Sequence, residues 1–429
     1  MMGSVYPRHH DDSEVPWMRE TVARLVAKGV EVEILAPSWR SLKSHQIDGV
    51  QVHRFRYAPG PWEFLTHDEG APSKLARNPL FQLLAIPYII IGALMCFWLT
   101  WRRGYDALHV HWPFPHALMV LPAQLILRTP VLLNFHGASL LLQRKFFFVR
   151  PCLKLVIKMA NGVLTNSSFT RDKVLDVLDV DVMLSPYGSP IEVDESIVSI
   201  EIKSHVINEQ IDQDSMDAVS QDSNEPAVQN FSHTNPFKIL FVGRHIERKG
   251  IEYLIQAFQL LASRHPDLVS TMQLEIVGGG ESTDTLKVLA AKTPNLPIIF
   301  PGKISTEDLM TVYQEADLFV LPAIVDSKGD TEGLGVVLIE AIVSHTAIIA
   351  SRVGGIVDVV INEKTGLLVE EKNPQDLMEA ILKVYSDEKL RTKLCAQAQI
   401  HAQEFFDWEV ITLRLIAEYE RVIQASAEL

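Results

Sequence analysis

The stretch FKILFVGRHIERKG, residues 237–250, is an apolar run that ends in a glycine and a cluster of charge. A short apolar run bounded by turn residues reads as a buried strand, and the residues after the turn read as the opening of a helix. A buried strand leading straight into a helix is the repeating unit of a parallel sheet covered on both faces. The same alternation continues outward in both directions. LEIVGGG, PIIFPG, DLFVLP and AIIASRVG come after the stretch, and VEVEILAP, DALHVHW, PVLLNFHG and GVLTNSS precede it. The pattern runs twice, which predicts an α/β chain with two doubly wound parallel sheets.

Between the two runs, residues 192–235 are acidic, carry scattered apolar residues and show no sustained period, so they read as a disordered insert. The expected organisation is a domain over 1–191, the insert over 192–235, and a second domain over 236–409. A helix over about 410–429 closes the chain. At 429 residues and 47% hydrophobic composition there is ample material for two cores. The formal net charge is −14, yet residues 1–191 carry 20 basic against 15 acidic side chains. That asymmetry argues against a nucleic-acid surface along the whole chain and leaves room for anions at the front. Three scattered cysteines (Cys96, Cys152, Cys395) form neither a disulfide framework nor a zinc pattern, which fits a reducing cytosol. The opening MMGSVYP has no apolar signal core and supplies barely half a central strand, so either that strand is trimmed or the chain's start lies upstream.

Residues 80–100, LFQLLAIPYIIIGALMCFWLT, are long and apolar enough to span a bilayer. Strand patterns stand on both sides of the segment. If they share one sheet, a spanning helix would put its halves on opposite faces of the membrane, so a buried helix or one lying against the membrane interface is expected instead. Residues 144–158, RKFFFVRPCLKLVIK, mix basic with large apolar side chains, as helices that settle on anionic lipid do.

The residues that suggest chemistry lie after the strands. Arg244 and Lys249 stand five apart across the strand-to-helix turn, where two cations beside a helix amino terminus suit a diphosphate. In DTEGLGVVLIEA, residues 330–341, the turn formed by Gly333, Leu334 and Gly335 opens an apolar helix whose free N–H groups and dipole favour an anion. Glu340 falls inside that helix, and a carboxylate that accepts two hydrogen bonds side by side complements a vicinal diol such as a ribose. Glu332, in the turn, is free on this reading to face another part of the same ligand.

These motifs resemble a known family. VGRHIERKG, IVGGGES, PGKIS, VYQEADLFVLP, the two glutamates with seven residues between them, and SRVGGIVDVVINEKTGLLV occur in the order seen in family-4 retaining glycosyltransferases of the GT-B fold. VHW, NFHGAS and LSPYG look like the same family's first-half counterparts. The resemblance covers nearly the whole chain apart from 192–235. It implies two Rossmann-like domains facing a cleft, with the last helix crossing back to the first domain. Arg244 and Lys249 would hold the donor diphosphate, Glu340 the ribose, and Glu332 the transferred sugar. His136 looks like the active-site histidine, and backbone near Gly302 and Lys303 would meet the base.

The chain departs from the family where a paired-glycine loop is common, having PRHHDDSEVPW at 7–17 instead. His9, His111 and Trp112 are the acceptor-side candidates. A metal held by His9, His10, Asp11 and Asp12 is not expected, because adjacent residues rarely converge on one ion. Asp179–Asp181 and Asp212–Asp214 read as chance triplets, and GGGES lacks dinucleotide-fingerprint spacing. PAIVDSKGDTEG, longer than a minimal connection, adds Asp326 and Asp330.

The expected function is retaining, metal-independent transfer of a sugar from a nucleotide-sugar to a polysaccharide, glycolipid or lipid-linked acceptor, with no cofactor. The expected place is the cytoplasm, peripheral on the inner membrane face. Three alternatives stand beside it. A glycoside hydrolase would not need Arg244 and Lys249. A sugar-nucleotide epimerase would change the donor without acceptor. A membrane-associated sugar-nucleotide binding module would not turn over at all.

Overall fold

The computed structural model describes residues 1–12, 14–67, 82–189 and 236–428. The segment read as a disordered insert lies outside the described residues. The chain divides into two compact units, one of Met1–Pro190 with Phe405–Leu429 and one of Ile191–Glu404.

In the first unit, β1 (Glu33–Pro37) runs parallel to β3 (Val50–Phe55), and β2 (His45–Ile47) pairs antiparallel with β3. Asp48 and Gly49 connect β2 to β3 with φ of 51° and 79°, the left-handed pair that a two-residue hairpin demands. On the other side, β4 (Leu108–His111), β5 (Val131–Phe135), β6 (Gly162–Thr165) and β7 (Met183–Leu184) are parallel. Residues 1–3 join the two sets. Met2 N donates to His109 O at 2.8 Å, and Leu35 N donates to Met1 O at 2.8 Å. The short opening strand is thus the centre of the sheet, with β1 on one side and β4 on the other.

The helices of this unit are α1 (Pro16–Ala27), α2 (Gln82–Arg103), α3 (Pro113–Leu127) and α4 (Val149–Met159). α2 is the long apolar segment of the sequence. It buries Tyr88, Cys96, Leu99 and Thr100 in the unit's main core and packs against α3, β1 and β3. Gly92 permits this approach, since a Cβ there would lie 2.6 Å from the Met119 sulfur on α3. The last helix, Trp408–Ala427, belongs to the same unit and begins two residues before the position expected from sequence. Asp407 sets that start by accepting from Val410 N at 3.0 Å. The second unit correspondingly ends at Glu404 where the sequence put 409.

The second unit is a six-stranded, wholly parallel sheet ordered β10-β9-β8-β11-β12-β13. Its strands are β8 (Phe237–Arg244), β9 (Met272–Gly279), β10 (Ile298–Gly302), β11 (Leu318–Leu321), β12 (Ala347–Ser351) and β13 (Leu367–Val369). Helix α5 (Ile251–Arg264) buries Leu254, Ile255, Phe258 and Leu261. The strand order reverses between β8 and β11, and ligands of such sheets bind beyond the carboxyl ends at that point.

Candidate active site

The turns after β8 and β11 meet at the switch point. Gly250 adopts φ 62°, and a Cβ on it would sit 1.9 Å from Pro322 O, so only glycine allows the two turns to close on each other. Ile324 N then donates to Arg248 O at 2.8 Å. This brings Lys249 Nζ to 2.5 Å from Glu332 Oε2, with the two side chains 9% and 13% exposed. Arg248 meets Asp330 at 2.8 Å. Arg244 ends β8 with its side chain exposed. Burial works against the ionised form of Glu332, but Lys249, Arg248 and Arg244 outweigh it and hold the carboxyl below its usual range. Glu332 is therefore not the free group that the sequence suggested. It is ion-paired with the lysine assigned to the diphosphate.

Helix α6 (Val336–Val343) starts at Gly335, whose φ of 87° turns the chain into the helix without a side-chain cap. Its first N–H groups are the orphan donors of a helix start. Leu334 is buried and anchors the turn beside Gly333. Gly354 locks it from behind: a Cβ there would lie 2.1 Å from Glu332 O, and Gly355 N donates to that same oxygen at 3.0 Å. Glu340, 7% exposed, accepts from the Tyr313 hydroxyl at 2.8 Å. Burial raises its pKa, an effect that Tyr313 and Lys249 only partly offset. Tyr313 is held in turn by Thr346, whose hydroxyl donates to Tyr313 O at 2.7 Å.

At the end of β10, Gly302 has φ 86° with open space around its Cβ position, and Lys303 is exposed. A Cβ on Gly279, at the end of β9, would lie 3.9 Å from the Lys303 side chain. Backbone and side chain at 302–303 thus border the glycine-rich turn after β9.

In the first unit, His111 and His136 come together at the ends of β4 and β5. His111 Nδ1 lies 3.0 Å from His136 Nε2, and the Tyr187 hydroxyl contacts His136 Nδ1. Trp17 stacks on Tyr187 at 4.3 Å and lies tilted against His136 at 4.8 Å, and Trp112 lies 5.1 Å from His136. His109 continues the row, 4.3 Å from His111 between ring centres and bonded to Tyr419 of the last helix at 2.6 Å. Burial lowers the His136 pKa to about 3 and that of His109 also to about 3, so both rings are neutral at pH 7. A neutral ring with both nitrogens bonded must donate from one and accept at the other. Asn166 donates to the Tyr187 oxygen. The consistent arrangement has Tyr187 donating to Nδ1 and His136 donating from Nε2 to His111.

His9 is exposed and apart from this row. Asp12 is clamped by Arg8 at 2.7 Å, and His10 and Arg19 meet Asp48 at 3.1 and 2.6 Å. Among the described residues no three His, Cys, Asp or Glu side chains are placed to hold a metal ion. Sequence reasoning missed Arg248, Tyr313, Tyr187 and Trp17. All four lay inside quoted stretches, Tyr187 in LSPYG and Trp17 at the end of PRHHDDSEVPW, so their signal was present but unread.

Residues 222–401 match the family model of glycosyl transferases group 1, and residues 16–187 match that of a glycosyl transferase 4-like domain. The chain belongs to the family-4 type of group 1 glycosyltransferases, with the GT-B fold. It is 31% identical over 183 residues to an uncharacterized glycosyltransferase of Methanocaldococcus jannaschii, covering 42% of this chain and 44% of that protein. The chain thus matches less than half the length of that relative. A D-inositol 3-phosphate glycosyltransferase of Corynebacterium urealyticum is 25% identical over 94% of this chain and 89% of its own length. A phosphatidyl-myo-inositol mannosyltransferase of Mycolicibacterium smegmatis is 24% identical over 92% and 86%. Among solved structures, sucrose-phosphate synthase from Thermosynechococcus elongatus superposes with a TM-score of 0.69 at 19% identity, covering 99% of both chains.

Proposed function

We propose that this protein is a retaining glycosyltransferase that moves a sugar from a nucleotide-sugar to a lipid-linked or other membrane-held glycan acceptor at the cytoplasmic face of the membrane. The observation that carries the reading is the switch point of the second unit. There Arg244, Arg248 and Lys249, the α6 amino terminus, the half-buried Glu332 and the buried Glu340 lie together at the strand ends. Cations and a helix terminus together match a diphosphate leaving group, whose charge they meet without reorganisation and without calling on a metal. Glu340 faces the ribose, the turn at 302–303 the base, and Glu332 the transferred sugar. His136 is the catalytic histidine of the first unit, with His111 and Trp112 on the acceptor side. His9, exposed, has the weakest claim to that side. Retention follows a same-face attack guided by the departing phosphate. Of the two relatives matched over most of their length, the one named as a phosphatidyl-myo-inositol mannosyltransferase supports a lipid acceptor, while the other is named for D-inositol 3-phosphate, which carries no lipid.

A panel of UDP-, GDP- and ADP-sugars assayed by thermal stabilisation tests the donor. A ligand at 100 times its dissociation constant adds ~2.7 kcal/mol of stability. One nucleotide class is expected to stabilise the protein, and turnover is expected to need acceptor and to survive excess EDTA. Donor consumption without acceptor at the full rate, or loss of all activity in EDTA restored by magnesium or manganese, overturns the reading.

A further inference from the structure

Helix α2 has an apolar face that is left exposed among the described residues of its unit. Leu83, Ile86, Ile90, Leu94, Trp98 and Trp101 follow one another at helical spacing and are 63, 58, 53, 64, 44 and 68% exposed. The opposite face carries the buried residues Tyr88, Cys96 and Leu99. A helix of a water-facing surface places polar residues on its outer stripe, and this one has none over about 27 Å of its length. Crossing a bilayer is excluded by the packing already described, because the inner face lies on α3, β1 and β3 and could not leave them without exposing the core.

The neighbours of α2 extend the surface. α3 packs against both α2 and α4 and ends in Leu125 and Ile126, 65 and 68% exposed. Phe147, just before α4, is 91% exposed, and Leu155 on α4 is 51% exposed. The stretch of chain that carries these apolar groups is predominantly basic. Residues 82–160 contain Arg102, Arg103, Arg128, Arg144, Lys145, Arg150, Lys154 and Lys158, against the single acidic Asp106. The rest of this acidic chain carries the opposite balance.

We propose that the α2–α3–α4 face docks on an anionic lipid bilayer, with α2 lying in the interfacial plane and not across it. Apolar side chains flanked by tryptophans and by lysines and arginines are the composition of in-plane membrane helices. A protein partner would be met by an apolar patch with mixed or matching charge. Eight cations against one carboxylate over residues 82–160, of which Arg103 is paired with Glu33 at 3.4 Å, fit a surface of phosphate headgroups. The docking rests on the proposed membrane-held acceptor only for its purpose, and it is tested without turnover.

The test is flotation with vesicles of phosphatidylcholine alone or with one quarter phosphatidylglycerol, at low and high salt. The parent protein is expected to float with the anionic vesicles at low salt and to be released by salt, since screening shortens the reach of the field. Lys154→Gln with Lys158→Gln is expected to weaken partitioning about tenfold or more. Leu94→Glu with Trp101→Glu is expected to abolish it while nucleotide-sugar binding stays at the parent level. Failure of the parent to float, or flotation of Leu94→Glu/Trp101→Glu like the parent, overturns the docking and leaves the donor reading standing. A parent dimer that this double substitution splits, with no flotation by either protein, assigns the face to self-association and likewise overturns the proposal.

Discussion

Glu340→Gln separates a residue kept for the fold from one kept for a ligand, because the two roles predict opposite signs. In the structure Glu340 is 7% exposed and has one short hydrogen bond, from Tyr313 at 2.8 Å. Its burial raises the pKa above 4.5, which means that the folded state disfavours the charged form relative to the unfolded chain. The stability tied to this group is therefore fully present below about pH 4.5 and is lost as the pH rises through the raised folded value. Glutamine keeps the volume and can still accept from Tyr313, a neutral hydrogen bond worth about 1 kcal/mol, while removing that loss. The variant is expected to melt at or above the parent temperature at pH 7, with the difference shrinking toward zero below pH 4.5. Against a ribose the change runs the other way. Losing one charge-assisted hydrogen bond costs about 1.5–3 kcal/mol, or roughly 10- to 150-fold in affinity. Because the ribose is unchanged by the reaction, the loss belongs in donor binding and KM rather than in kcat. Calorimetric titration with the free nucleotide and scanning calorimetry across about pH 4–8 read both signs on one preparation. A variant that melts lower at pH 7 and binds nucleotide like the parent refutes the reasoning, since Glu340 would then be structural.

The Lys249–Glu332 pair predicts a different outcome. Lys249→Met leaves a nearly buried carboxylate with only Arg248 and Arg244 near it, so a loss of about 3 kcal/mol is expected, roughly 6–12 °C in the melting of a unit this size. Lys249→Met with Glu332→Gln is expected to recover most of the melting temperature but not the activity, and equal melting of the single and double variants contradicts the pair. Tyr187→Phe removes the hydroxyl that fixes the His136 tautomer while keeping a ring for Trp17 to stack on. About a tenfold fall in kcat with unchanged donor KM is expected, and an unchanged kcat shows that Tyr187 does not act through His136.

The strand patterns quoted from the sequence became strands, most of them apolar runs whose residues are buried on both faces, with the edge strand β10 the half-exposed exception. The β2–β3 hairpin escaped notice for the converse reason. His45, Gln46, Gln51, His53 and Arg54 break its apolar pattern, and Arg54 is nevertheless buried, bonded to Tyr6 O and Pro7 O at 2.8 and 2.6 Å. The site shows the same division. Arg244, Lys249, Glu332 and Glu340 were legible because turns at strand ends leave a local mark. The pairings were not, because Lys249 and Glu332 are 83 residues apart, Tyr313 and Glu340 are 27, and His136 and Tyr187 are 51. No periodicity or propensity records which side chain completes another across such distances.

Those partners also dissolve the symmetry that the sequence lent to the two glutamates. Glu332 sits in a field of three cations that holds it ionised, so a stable fold alone is reason enough for its presence. Glu340 lies where burial opposes its charge and its neighbours make good only part of the penalty. Substitution by an uncharged residue of the same shape relieves that penalty, and most proteins have such relief within a single mutation. Under the proposed function, a diol-bearing ligand above the α6 turn would give that carboxylate a second role. The proposed role of Glu340 rests on its motif and its place at the α6 turn, and the paired melting and titration measurements decide it. That of Glu332 stands on its place beside Lys249, at the point where a diphosphate and the sugar it carries would meet.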